Sequence, residues 1–248
     1  MSLKDVLIIG AGASGSAAAF HLASFGRKVA LLEKNNDLIR KPCGGGMSAV
    51  VQEWFPFDLK PIVEEVIQKV EFTWCLNDPV VANLPGSAPF WIVRRETLDN
   101  FLAMKAIEAG AELIKPFQVT SLNKRNKTWL ATSFDGQTIE AKSVIIADGS
   151  KSPWPKLYGL GPEKLHHAST ISVRLKGRGN LKKNTARFEF GLTHHGFAWA
   201  FPLHEEVNVG VGTFIGKSKL NSKKVLSELL PALGFDPKEG DRKETSLR

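Results

Sequence analysis

The tightest constraint on this chain is Gly10-x-Gly12-x-x-Gly15, set between an apolar run and an alanine-rich segment. Asp5 to Gly10 (DVLIIG) has the near-continuous apolar character of a strand buried on both faces. Ala13 to Phe25 then predicts a helix stopped at Gly26, and Lys28 to Glu33 (KVALLE) a second buried strand. Together these make a β-α-β unit of about thirty residues, the size of one right-handed crossover. In such a unit Gly10 permits the tight turn and Gly12 lets backbone approach a pyrophosphate. Gly15 lets helix pack closely on strand, and the helix N-terminus faces the phosphate charge. Glu33 ends the second strand, where a carboxylate accepts hydrogen bonds from both ribose hydroxyls of an adenosine. It also repels a 2′-phosphate, so this slot suits FAD or NAD rather than NADP.

Further along, Pro42 to Gly46 is a tight glycine-rich loop, followed by an expected short helix from Met47 to Phe55. Val70 to Cys75 and Phe90 to Arg94 read as strands of a different sheet, and Arg95 to Ala109 as a helix ended by Gly110. Ala111 to Lys115, Val119 to Asn123 and Trp129 to Ser133 are expected strands, with Asp135-Gly136 a strong turn signal. Ser143 to Ala147 is another buried strand that runs into Asp148-Gly149. Beyond residue 165 strand-like alternation dominates, in 169–175, 187–190, 197–201 and 207–214, and helical character returns only at 222–233.

Bulk properties exclude several classes. Two cysteines, Cys43 and Cys75, are too few for a disulfide framework or a four-thiolate metal site. The histidine pairs His166-His167 and His194-His195 lack chelate spacing, so no metal is expected. The net charge of +8 carries no recognisable nucleic-acid module with it and reads as a solvated basic surface, leaving contact with an anionic membrane surface open. There is no apolar stretch long enough to span a bilayer, and the first apolar run is too short for a signal peptide. The expected location is cytoplasmic, with peripheral membrane contact the open alternative.

Four segments carry a family resemblance. Ser143-Val-Ile-Ile-Ala-Asp148-Gly149 resembles the second fingerprint of glutathione-reductase-type flavoproteins, in which the aspartate sits near the cofactor's pyrophosphate and ribityl chain. Arg95-Glu-Thr-Leu98-Asp99-x-x-Leu102 is similar to the R-x-x-[FL]-D-x-x-L signature of the hydroxylase and prenyl-reductase branch. Lys41-Pro42-Cys43-Gly44-Gly45-Gly46 resembles a run found in geranylgeranyl reductases, and Gly196 to Pro202 (GFAWAFP) their Y-x-W-x-F-P strand, with Phe197 where tyrosine is usual. The chain thus resembles the geranylgeranyl reductase family of FAD-dependent oxidoreductases.

That resemblance implies an α/β fold: a Rossmann-like three-layer FAD-binding domain with a discontinuous, mostly antiparallel β substrate domain. The expected division is 1–69 with 95–165 for FAD, and 70–94 with 166–248 for substrate. It implies FAD as cofactor and NADPH or NADH as donor, with hydride delivered to isolated carbon–carbon double bonds of a geranylgeranyl or other isoprenoid chain. The implied cofactor-binding set is Gly10, Gly12, Ala13, Ser14, Gly15, Glu33, Lys34, Cys43, Gly44, Gly45, Arg95, Val119, Asp148 and Gly149. Cys43 is expected beside the isoalloxazine as the catalytic thiol, whereas Cys75 is expected to be buried and inert. Phe197, Trp199 and Phe201 alternate onto one face as a wall for the isoprenoid. The alternatives are an FAD monooxygenase of the aromatic-hydroxylase type and an inactive fragment. Relatives continue into a third fingerprint of the G-D-A-A-G kind, which nothing after Gly212 matches. The corresponding expectation is weak FAD binding and little turnover by the 248 residues alone.

Overall fold

The computed structural model describes residues 2–37, 41–161, 168–214 and 222–247. In chain order the elements are β1 (Lys4–Ile9), α1 (Ala13–Ser24), β2 (Val29–Leu32), β3 (Gly46–Ser48), β4 (Val63–Ile67), β5 (Lys69–Trp74), β6 (Asn77–Asn83), β7 (Phe90–Val93) and α2 (Arg95–Glu108). There follow β8 (Glu112–Ile114), β9 (Val119–Arg125), β10 (Thr128–Ser133), β11 (Thr138–Ile146), α3 (Trp154–Leu157), β12 (Ala168–Lys176), β13 (Thr185–Phe190), β14 (Gly196–Pro202), β15 (Glu206–Thr213), α4 (Ser222–Ala232) and β16 (Asp241–Leu247). The fold is mixed α/β, as the alternation of patterns predicts.

The chain forms two compact units, one of residues 1–40 and 96–161, the other of 41–95 and 162–248. Residues 41–69, expected with the cofactor half, pack with the second unit, because β3 and β4 both pair with β7.

The first unit is built on a six-stranded sheet of order β8-β2-β1-β11-β10-β9. The β8, β2, β1 and β11 strands run parallel, and β10 and β9 close the sheet as an antiparallel meander. Leu7, Ile8, Ala30 and Leu31 are completely buried, which explains why β1 and β2 read as unbroken apolar runs. By contrast β11 alternates exposed and buried residues at its start and ends half-buried, so the expectation of a fully buried strand there was too strong.

In the second unit a seven-stranded sheet has the order β16-β12-β15-β14-β13-β5-β6, and β3, β7 and β4 form a small sheet of their own. One face of the large sheet packs against α4, where Leu226, Leu229, Leu230 and Leu233 meet Val173, Val209 and Val211. The opposite face carries the aromatic residues of β5, β13 and β14. Arg94 pairs with Glu64 at 2.9 Å and Glu206 at 2.7 Å, tying the small sheet to β15. Several elements depart from the expected ones. Residues 46–48 are a strand and 49–54 a 3-10 helix rather than a helix over 47–55, and β4, β6, α3 and β16 were not foreseen. Cys75 is exposed, not buried: it sits at φ 48° in the hairpin between β5 and β6. His194 and His195 lie exposed in the β13–β14 turn, and His166-His167 falls outside the described residues, as does most of the basic run 217–224.

Candidate functional site

In the first unit three neighbouring strands deliver their C-terminal ends side by side. β1 leads into Gly10, β2 into Glu33 and β11 into Ala147-Asp148, and the chain order reverses direction on either side of β1. Such a switch point leaves a crevice beyond the strand ends, where open parallel sheets bind ligands. The turn is pinned from both sides, since Gly10 N donates to Leu32 O at 2.8 Å and Ala147 N donates to Ile9 O at 2.9 Å. Gly10 has φ 102°, and a Cβ on it would lie 2.5 Å from Ala147 O, so the position admits no side chain. A Cβ on Gly15 would overlap the Gly10 carbonyl, the close helix-on-strand approach inferred from the spacing.

The polar groups around this turn suit a dinucleotide. Gly12 caps α1 without any side-chain hydrogen bond, which leaves the first-turn amides to an anion. Glu33 is 7% exposed; its Oε2 accepts from Ala11 N at 3.1 Å and its Oε1 from Asn35 N and Nδ2, both at 3.0 Å. A carboxylate has about four acceptor positions, so roughly one remains for a ribose hydroxyl. Asp148 Oδ1 is buried with no hydrogen-bond partner among the described residues, an orphan that a ligand hydroxyl would satisfy. Gly149 adopts φ 93° directly after it. Ala13 and Ser14 lie in the first turn of α1, Lys34 is exposed just past Glu33, and Val119 opens β9. Arg95, the first residue of α2, belongs to the second unit.

The second unit holds the other sequence-predicted residues. Gly44 and Gly46 lie against aromatic rings: a Cβ on Gly44 would sit 2.7 Å from Phe201 and 3.1 Å from Trp199 Nε1, and one on Gly46 2.6 Å from Phe90. Between them Gly45 adopts φ 79° and accepts from Val93 N at 2.9 Å, while Cys43 Sγ accepts from Gly45 N at 3.4 Å. Phe197, Trp199 and Phe201 share one sheet face, with Phe197 half-buried and the other two buried.

Sequence reasoning missed Asn208. It is 4% exposed on β15, and its Nδ2 donates to Cys43 O at 2.6 Å while its Oδ1 accepts from Trp199 Nε1 at 3.4 Å. One amide thereby holds both the cysteine loop and the indole. The signal was present in Val207-Asn-Val-Gly-Val211, where a lone amide interrupts a valine and glycine strand. Asn208→Ala, in a Cys75→Ser background, is expected to raise the rate of Cys43 alkylation by iodoacetamide several-fold. Asn208→Asp should not restore the slow rate, because a carboxylate cannot donate to Cys43 O. Equal rates in all three chains would show that the loop is held by other means.

A glycine turn, a buried carboxylate and an orphan aspartate at one switch point suit a dinucleotide-binding oxidoreductase fold. The pyridine nucleotide-disulphide oxidoreductase model matches residues 4–187, and the chain belongs to that family of FAD-dependent oxidoreductases. It is 32% identical over 222 residues to digeranylgeranylglycerophospholipid reductase 2 of Methanothermobacter thermautotrophicus, covering 84% of this chain and 56% of that protein. Against digeranylgeranylglycerophospholipid reductase of Methanocaldococcus jannaschii the identity is 31% over 226 residues, covering 87% and 56%. The chain therefore spans little more than half the length of these relatives. Among solved structures, a geranylgeranyl bacteriochlorophyll reductase-like protein from Thermoplasma acidophilum superposes with a TM-score of 0.85 at 22% identity, covering 99% of this chain and 66% of that one. That likeness carries the fold.

Proposed function

We propose that this chain forms the FAD-binding and part of the substrate-binding portion of a reductase that saturates isolated double bonds in a prenyl chain, with NADPH or NADH as donor. The observation that carries the proposal is the convergence of Gly10, Glu33 and Asp148 at adjacent strand ends, in a chain related to enzymes named for prenyl-lipid reduction. FAD, when bound, supplies hydride transfer. Gly10, Gly12 and the amides opening α1 receive the pyrophosphate, Glu33 the adenosine ribose, and Asp148 Oδ1 a hydroxyl of the ribityl chain. Ala13, Ser14, Lys34, Val119 and Gly149 complete that set within the first unit.

Alkene reduction needs a proton as well as a hydride. Cys43 Sγ carries an exchangeable proton on a loop whose position is fixed by Asn208, and it is assigned the proton donor. Phe197, Trp199 and Phe201 exclude water from the prenyl chain and hold it straight. The substrate is a prenylated small molecule met at a membrane surface from the cytoplasmic side; among the described residues no helix is long and apolar enough to cross a bilayer.

The test is anaerobic incubation of a version extended to the full length of its relatives with FAD, NADPH and a C20 prenyl alcohol, followed by mass spectrometry. A gain of two hydrogens per double bond is the expected product. A product that forms only with oxygen and carries an added oxygen atom would replace this reading with a monooxygenase. Glu33→Arg is expected to weaken FAD binding at least about tenfold, since hydrogen bonds to a charged partner contribute about 1.5–3 kcal/mol. Unchanged flavin absorbance after gel filtration would remove Glu33 from the site.

A further inference from the structure

The antiparallel meander of the first unit carries an anchored knob, residues 154–160, folded back on β9 and β10. Trp154 is 5% exposed, and the Tyr158 hydroxyl donates to Leu122 O. The Tyr158 ring meets Trp129 edge-on at 5.4 Å and stacks on Trp154 at 6.5 Å. Within the knob, Tyr158 N donates to Trp154 O at 3.0 Å and Leu160 N to Pro155 O at 2.7 Å. With its inner side fixed in this way, the knob leaves Leu157 67% and Leu160 57% exposed. Exposed leucines scattered singly need no explanation. Two on one short anchored turn are held in water where burial would be favourable.

The charge around the knob is of one sign. The β9–β10 hairpin turns through Lys124, Arg125, Asn126 and Lys127, all exposed, and Lys151 and Lys156 are exposed beside the leucines. Lys124 is the register partner of Trp129, and its Nζ lies 5.9 Å from that ring. Hairpin and knob thus meet on the same indole. Residues 119–134 and 149–161 hold five cations and no aspartate or glutamate. Other lysines of the unit are neutralised: Lys4 by Glu112, Lys105 by Glu108 at 2.6 Å and Lys142 by Asp5 at 2.7 Å. The five around the knob have no carboxylate partner among the described residues, and Glu140 on the adjacent β11 accepts instead from the Thr128 hydroxyl.

We propose that this face docks the protein on an anionic lipid bilayer. Leu157 and Leu160 enter the interfacial layer, while the lysines and Arg125 reach the head-group phosphates with their stems against its apolar edge. Apolar burial and attraction to anionic lipid then act together, which gives reversible attachment rather than permanent anchoring. A soluble polyanion would satisfy the cations and leave both leucines in water. A bilayer accounts for both features. None of these side chains is among those assigned to FAD or to the prenyl chain, so the assignment goes beyond the reductase reading.

The test is co-sedimentation with vesicles of phosphatidylcholine, alone or mixed with phosphatidylglycerol, using the chain and a version extended to the full length of its relatives. Both are expected to bind the mixed vesicles only, and to be released as salt rises. Lys124→Gln with Arg125→Gln and Lys127→Gln should weaken binding about hundredfold, or about fivefold per charge. Leu157→Ser with Leu160→Ser should weaken it about tenfold and leave the salt dependence unchanged. Lys69→Gln with Lys182→Gln and Lys183→Gln removes the same charge from the second unit and should change binding less than about twofold. Equal losses from the two triple variants would mean that the net charge of +8 acts as a whole, and would overturn the assignment. Leucine variants that bind as tightly as the unaltered chain would overturn it in favour of a soluble acidic partner. An extended version that ignores mixed vesicles would overturn it by showing this face covered in the longer protein. The prenyl reading stands or falls separately, on the reduction product.

Discussion

Gly45→Ala is expected to destabilise the chain by about 2–4 kcal/mol, seen as a lower urea midpoint with little change in slope. Two causes add. At φ 79° an L-residue loses about 1 kcal/mol or more relative to glycine. The new Cβ would also overlap Val93 O, a backbone atom that cannot yield easily because β7 is paired on one side with β3 and on the other with β4. Gly86→Ala separates the two causes. Gly86 has φ 88° but nothing within 4 Å of a new Cβ, so only the conformational part applies, about 1 kcal/mol. Equal losses at both positions would mean that the loop moves freely away from Val93. The Gly45 variant should also lose the Gly45 N to Cys43 Sγ contact and alkylate faster at Cys43.

Glu189→Ala should cost about 3–5 kcal/mol, the range for breaking a buried ion pair from one side. Glu189 is 1% exposed on β13, on the face opposite the aromatic residues of β13 and β14. Its carboxylate accepts from Leu76 N at 2.8 Å, from Arg187 at 3.2 Å and from the Thr73 hydroxyl. Truncation leaves the Leu76 amide without its acceptor and Arg187, largely buried, with only the Thr73 hydroxyl and a longer 3.7 Å contact to Glu71. Glu189→Gln keeps an acceptor for Leu76 N and should fall between the two. Replacing both partners, Arg187→Met with Glu189→Leu, should recover much of the loss, because paired apolar replacement removes the uncompensated charge. A double variant as unstable as Glu189→Ala would show that the pair contributes more than its own desolvation.

What the sequence disclosed follows from what apolar patterning measures. The β1-α1-β2 unit was legible because its strands are buried on both faces and its turn demands glycine at Gly10 for steric reasons. The aromatic face of β14 was legible from strict alternation. Strands β6 and β16 were not. Every residue of β6 is exposed and includes Pro79, and β16 reads Asp-Arg-Lys-Glu-Thr-Ser-Leu, so both are strands by pairing at a sheet edge rather than by burial. Patterning reports which side chains avoid water and is silent on where backbone hydrogen bonds go. For the same reason Glu33 was found, through a spacing rule, but Asn208 was not, since its role lies in a hydrogen bond to Cys43, 165 residues away in sequence.

The same registers set a timetable for synthesis. Ile9 of β1 pairs with Ile146 of β11, and Lys69 of β5 with Thr185 of β13. At about 5–20 residues per second, each central strand waits on the order of ten seconds after leaving the ribosome before its neighbour exists. During that interval the Val6 to Ile9 segment and the aromatic side of β5 have no sheet partner on that flank. Slower translation would therefore lengthen the exposure of these strands rather than help them fold.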